Sequence, residues 1–182
     1  CPAAHAACSA TRPVTRLFVS DLHLDAAAPE AIGQFIAFLQ ADARAASALY
    51  ILGDLFESWV GDDDDDPARA RVCEALNAFT ASGTPCFVMR GNRDFLLGER
   101  FEQRTGCRLV ADPVITEIEG VRTLLAHGDL FCTDDVKYQQ LRLIVRDPGW
   151  QRRAAHRARD VPLRRPAAPG RRRGGAPGRL AG

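Results

Sequence analysis

No apolar run in the 182-residue chain reaches the roughly 18 to 20 residues that a bilayer-spanning helix needs, so no helical membrane span is expected. The sequence does not open with a basic stretch followed by an apolar one, which leaves secretion unsupported. Its six cysteines (Cys1, Cys8, Cys73, Cys86, Cys107 and Cys132) include no C-x-x-C spacing, which argues against a zinc site or a disulfide framework. Cys86 and Cys132 sit in or beside apolar stretches and read as reduced core residues. A cytoplasmic protein is the expectation. Methionine is almost absent: Met89 is the only one, and none begins the chain. Val14 directly precedes the first apolar run, so translation is expected to start there, with residues 1–13 as an N-terminal extension.

Hydrophobic content of 46% and charged content of 26% are ordinary for a globular chain with a real core. The net charge of +1 conceals an uneven split. Residues 1–149 carry 14 basic against 22 acidic side chains, a net of −8; residues 150–182 carry ten Arg against Asp160, a net of +9. Of the 32 residues from 151 to 182, 26 are Arg, Ala, Gly or Pro, and none is Phe, Ile, Met or Tyr. Such a segment buries too little apolar surface to offset its ordering entropy, so disorder is expected there. These four residue types have GC-rich codons, and a GC-rich gene read out of frame would yield this composition. A frameshift near Trp150 is therefore the preferred reading of residues 151–182, with a true basic tail as the alternative. Such a tail would contact nucleic acid or anionic lipid, but it lacks aromatic residues for stacking on bases, and no nucleic-acid partner is expected.

The informative part lies between. Four short apolar runs each stop at a polar ligand type: Leu17–Ser20 at Asp21-Leu22-His23, Tyr50–Leu52 at Gly53-Asp54, Phe87–Met89 at Arg90-Gly91-Asn92-Arg93-Asp94, and Leu124–Ala126 at His127-Gly128-Asp129. Each run reads as a buried strand, and ligands bind at the carboxyl ends of strands in α/β sheets. Between them, Pro29 followed by Ile32, Phe35, Ile36 and Leu39 predicts a helix, as do Val72, Ala75, Leu76 and Phe79. Two strand–helix–strand units in succession imply right-handed crossovers and a parallel sheet. Asp62–Asp66, five aspartates closed by Pro67, are expected to form a solvated loop without the glycine and glutamate of an EF-hand. Gly98–Thr105 is expected as a short helix, followed by strands at Arg108–Val110, Val114–Ile118 and Val121–Ala126, the last two joined by a tight turn at Glu119-Gly120. Asp134 or Asp135 would cap a helix through Tyr138, Leu141, Ile144 and Val145, ended by Asp147-Pro148-Gly149.

Residue chemistry narrows the function. Asp21 and His23 flank one residue, so their side chains leave the strand end together, and carboxylate with imidazole suits Mn, Fe or Zn. Taken alone, Asp21 reads equally well as a turn cap and His23 as a surface residue. Asp54 lies one strand away, about 5 Å on sheet geometry, where its carboxylate can bridge two cations. Asn92 adds a neutral oxygen, Arg93 a planar cation suited to phosphate, and Asp94 a carboxylate able to orient a ligand from behind. A Gly-Asn pair alone is usually a turn, and a lone His127 is more often structural. Four ligand-bearing strand ends in one sheet make coincidence a poor explanation.

The blocks Ser20-Asp21-Leu22-His23, Gly53-Asp54, Gly91-Asn92 and His127 resemble those of the calcineurin-like metallophosphoesterases. The longer stretches Tyr50–Glu57 with Trp59 and Gly61-Asp62-Asp63, Gly91–Gly98, and His127-Gly128-Asp129 running to Cys132-Thr133-Asp134-Asp135 are similar to the UDP-2,3-diacylglucosamine pyrophosphatases within them. Arg93 is the discriminating residue, since most of the wider family has histidine there. The resemblance covers residues 14–150 and implies an α/β fold, a four-layer α/β/β/α sandwich that is incomplete at the C-terminus. It also implies a pair of Mn2+ ions and cleavage of UDP-2,3-diacylglucosamine to the lipid monophosphate and UMP, in lipid A synthesis at the cytoplasmic face of the inner membrane. Carried over by motif, Asp21 and His23 hold one cation, Asp54 bridges, and Asn92 and His127 hold the other. Asp54, Asn92, Arg93 and His127 are the catalytic set, while Asn92, Arg93 and Asp135 touch substrate. The family also has a downstream Gly-His-x-His block that does not occur in this sequence, so this chain by itself is expected to have little or no hydrolase activity and to be marginally folded. The alternatives are a different phosphodiester substrate, or a non-catalytic protein with a basic tail.

Overall fold

A computed structural model describes residues 15–63, 65–151, 153 and 154. The proposed start at Val14 and nearly all of the segment from 151 to 182 lie outside the described residues. The apolar runs become β1 (Arg16–Val19), β2 (Ala48–Leu52) and β3 (Cys86–Met89), joined by α1 (Pro29–Gln40) and α2 (Pro67–Ala81). A third helix, α3 (Glu99–Thr105), leads to β4 (Arg108–Val110). All neighbours in this sheet are parallel, in the order β1-β2-β3-β4. A strand order that advances in one direction sends successive right-handed crossovers over the same face. The packing agrees: Ile32, Phe35 and Leu39 of α1, Val72, Leu76 and Phe79 of α2, and Phe101 of α3 share one core.

The period-2 alternation of the strands sorts side chains between two cores. Leu49, Ile51, Cys86 and Val88 point to the helices. Ala48, Tyr50, Phe87 and Met89 point to the other side, where they meet Leu125, Val114 and Ile118. Those three belong to an antiparallel hairpin, β5 (Val114–Ile118) and β6 (Val121–Leu125). Its turn places Glu119 at φ 51° and Gly120 at φ 80°, the paired left-handed residues of a two-residue hairpin. Helix layer, parallel sheet and second sheet thus stack in the order expected of the first three layers of the sandwich. Phe18, Tyr50 and Phe87 stack across β1, β2 and β3 at centroid distances of 5.0 and 4.8 Å, stiffening the face between the sheets.

Three local expectations need correction, and α4 buries less than its apolar spacing suggests. The aspartate run is not simply solvated. Asp62 accepts from the Trp59 indole (3.1 Å) and from the backbone N–H groups of Gly98, Arg100 and Phe101, which pins the start of α3. Asp66 caps α2 by accepting from Ala68 and Arg69, a contact typically worth ~1 kcal/mol. Helix α4 (Val136–Val145), capped by Asp135, buries only Val145, and Leu141 and Ile144 are about half exposed at 52% and 51%. It is attached instead by polar side chains. Cys132, expected in the core, is exposed, following the turn Asp129–Phe131; among the described residues, Cys73, Cys86 and Cys107 are the buried thiols. Finally, Asp147-Pro148 also starts a new helical turn over residues 148–151, with Asp147 accepting from Trp150 N at 2.6 Å.

Candidate metal centre

Beyond their last ladder bonds, β1 and β2 run on side by side as loops. Asp21 N donates to Gly53 O (3.1 Å), His23 N to Asp54 O (3.0 Å) and Leu24 N to Leu55 O (2.9 Å). Leu24 and Phe56, 2% and 0% exposed, anchor this pair in the core. Asp21, His23, Gly53 and Asp54 all have positive φ (53°, 47°, 95° and 51°). For the three non-glycine residues such backbone costs on the order of 1–3 kcal/mol each and persists where the surroundings over-determine it. The twist turns three side chains toward one point: Asp21, His23 and Asp54 each offer a ligand atom within 4.8 Å of the others.

The β3 loop is held to the β2 loop by one buried carboxylate. Asp94, 0% exposed, accepts from Gly91 N (2.7 Å), Leu55 N (2.8 Å) and Phe56 N (3.3 Å). Burial raises its pKa, and the backbone donors oppose that shift without cancelling it. Asp54 itself, 3% exposed, accepts from Arg93 N at 2.9 Å. The loops are so close that Gly91 has no room for a side chain: a Cβ there would lie 2.0 Å from Asp54 Oδ1. A Cβ on Gly53 would lie 2.4 Å from His127 Nδ1. Both glycines are therefore required by close approach.

His127 enters from the second sheet, two residues after β6. Its Nδ1 donates to Leu52 O at 2.9 Å, which fixes the tautomer and leaves Nε2 as a lone pair. That Nε2 lies 2.9 Å from Asn92 Oδ1 and 3.7 Å from Asp54 Oδ1. His23 repeats the arrangement in mirror fashion. Its Nδ1 donates to Glu57 Oε2 at 2.7 Å, and its Nε2 faces Asp54 Oδ2 at 3.6 Å. Each oxygen of Asp54 therefore faces one imidazole lone pair. Apart from the Arg93 N–H on Asp54 Oδ1, the groups converging here are acceptors, an arrangement that divalent cations could neutralise. The donor set, carboxylates with imidazoles and an amide oxygen, fits Mn-, Fe- or Zn-type divalent ions.

The sequence-predicted residues Asp21, His23, Asp54, Asn92 and His127 are thus brought together at adjoining strand ends. Arg93 lies at the rim, half exposed, with Nη1 3.5 Å from Glu57 Oε1. Asp135 is not brought to this cluster by its hydrogen bond: its carboxylate accepts from Tyr138 N at the start of α4. Glu57 received no role from the sequence reading, although it stands three residues after Asp54. It orients His23 and meets Arg93, the carboxylate–histidine–metal relation in which the outer partner fixes the ring. Also unforeseen are Asp112, whose Oδ1 accepts the His127 amide at 3.0 Å, and the two α4 arginines that hold Asp112. The spacing of Tyr138, Arg142 and Arg146 along one helical stripe was the available signal.

The calcineurin-like phosphoesterase profile matches residues 14–172. The chain is 54% identical over 138 residues to the UDP-2,3-diacylglucosamine hydrolase of Stenotrophomonas maltophilia strain R551-3, covering 76% of this chain and 56% of that protein. It is 51% identical, with the same coverage, to proteins of that name from Xanthomonas oryzae pv. oryzae strain PXO99A and Aromatoleum aromaticum strain EbN1. The chain thus spans about 56% of the length of these curated relatives. With that profile match over most of its length, the chain belongs to the calcineurin-like phosphoesterase family.

Proposed function

We propose that the strand-end cluster holds two divalent cations, manganese in the cell, and serves hydrolysis of the pyrophosphate bond of UDP-2,3-diacylglucosamine. The observation that carries the two-cation reading is the bridging posture of Asp54, with His23 Nε2 at 3.6 Å from one oxygen and His127 Nε2 at 3.7 Å from the other. The substrate rests on the relatives' names and on Arg93. Asp21 and His23 would hold one cation, Asn92 and His127 the other. Bound there, the pair would neutralise phosphate oxygens and lower the pKa of a water.

The protein's own contribution is orientation and charge. Glu57 and Leu52 O fix the two imidazoles with their Nε2 atoms inward. Asp94 keeps the Asp54 and Asn92 loops in register. Arg93 presents a planar donor at the rim, where it would meet charge developing on a phosphoryl group, with Asn92 and Asp135 as further substrate contacts. A lipid-linked substrate implies work at the cytoplasmic face of the inner membrane.

The test is UMP release from UDP-2,3-diacylglucosamine in vesicles, with manganese or chelator, compared with a soluble nucleotide diester. Manganese-dependent release that Asp54→Asn abolishes supports the reading. A higher kcat/KM on the soluble diester would reject the lipid substrate, and chelator-resistant release would reject the metal mechanism.

A further inference from the structure

Arg142 and Arg146, one turn apart on α4, converge on the same two carboxylates. Asp112 lies 2.7 Å from Arg142 Nη2 and 3.2 Å from Arg146 Nη2. Asp129 lies 3.0 Å from Arg142 Nε and 3.2 Å from Arg146 Nη2, and it accepts from Tyr138 Oη at 2.6 Å. The four charged side chains are all at least 84% buried, with Asp112 only 2% exposed. Burial acts against the charged form of Asp129, and the bonds from Tyr138, Arg142 and Arg146 outweigh it, so its pKa is lowered.

Buried charge networks of this kind are poor stabilisers, because desolvation offsets most of the attraction. Their geometry says more. Asp112 also accepts the His127 amide at 3.0 Å, so one side of the network holds the His127 loop. Arg146 Nη1 donates to the Arg90 carbonyl at 2.8 Å, immediately before Gly91-Asn92, so the other side holds the Asn92 loop. Arg146 is the side chain that touches both. The Asp21–His23 loop is secured differently, by backbone bonds to the β2 loop.

We propose that Arg146 is a positioning residue for the Asn92–His127 half of the metal centre, tying the two loops together across α4. The inference rests on the two-cation reading above. It sets the separation between His127 Nε2 and Asn92 Oδ1, 2.9 Å in this structure, and leaves the Asp21–His23 half untouched.

The experiment is a manganese titration of the full chain and of Arg146→Met and Arg146→Lys, following free ion by electron paramagnetic resonance. Hydrogen exchange of the His127 amide is measured in the metal-free proteins. The parent should bind two cations. Arg146→Met should bind one with unchanged affinity and the other up to about 10-fold more weakly, the lower end of the range for losing an outer partner of a metal ligand, since Arg146 acts through Asp112 and the Arg90 carbonyl. Its His127 amide should exchange faster. Arg146→Lys keeps the charge but not the fork, so it should fall between, and it decides the matter if Arg146→Met does not fold. Equal weakening of both sites, or no weakening of either, overturns the proposal. A parent that binds no cation refutes the two-cation reading itself, and the inference with it.

Discussion

Replacing Asp94 by alanine should cost more stability than any other single polar change near the centre. The carboxylate is wholly buried and accepts three backbone N–H groups, one from the β3 loop and two from the β2 loop. Alanine leaves all three donors unsatisfied in a site too tight for water to replace a carboxylate easily. Three such orphans at roughly 1–3 kcal/mol each would cost about 3–9 kcal/mol, and relief of the carboxylate's own burial brings the expected loss to the lower end, about 3–5 kcal/mol, a large part of the ~5–15 kcal/mol that holds a domain together. Asp94→Asn is the sharper probe. Its amide oxygen can serve Leu55 and Phe56, but its NH2 then faces the Gly91 N–H, donor against donor. One bond is lost and a repulsion added, for about 2–3 kcal/mol. Urea unfolding of metal-free protein, read by tryptophan fluorescence and far-ultraviolet circular dichroism, measures both. A loss below about 1 kcal/mol for Asp94→Ala would refute the argument that this carboxylate clamps the two loops.

Other outcomes follow from the same geometry. Gly53→Ala places a methyl group against the His127 ring at a φ of 95°, so it should abolish binding of one cation, measurable by the same titration, with the Asp21–His23 cation retained. Glu57→Gln keeps the shape but removes the charge behind His23, and should weaken the first cation about tenfold, while Glu57→Asp, too short to reach, should do more. Tyr138 donates to Asp129, and burial together with that bond raises its pKa well above the ordinary 10.0. Its stabilising contribution is complete below the unfolded-state value and declines as pH rises above about 10, where the unfolded chain releases a proton that the folded one retains. Tyr138→Phe should flatten that alkaline decline in a pH series of urea melts.

Much of this cluster was legible because its candidate ligands follow apolar runs directly. A strand that must be buried ends where the next residue is Asp or a Gly-Asp pair, and that edge of a parallel sheet is fixed by topology. The tight hairpin at Glu119-Gly120 and the cap at Asp135 were readable for a similar reason, since they are local. What sequence could not supply was the partner of each charged group. Glu57 meets His23 across 34 positions, Arg146 meets Arg90 O across 56, and Arg142 meets Asp112 across 30. The five aspartates look alike as letters, yet Asp62 is committed to α3 and Asp66 to α2. Helix α4 misled most. Its apolar residues repeat at helical spacing, but Tyr138, Arg142 and Arg146 form the stripe that attaches it, and Leu141, Leu143 and Ile144 remain exposed.

The central claim is that Asp54 bridges two cations, one beside each histidine. Anomalous diffraction from manganese-soaked crystals of this chain tests it most directly. Two peaks about 3.5–4 Å apart, one between Asp54 and His23 and the other between Asp54, Asn92 and His127, are the predicted result. A single peak, or peaks away from Asp54, would contradict it.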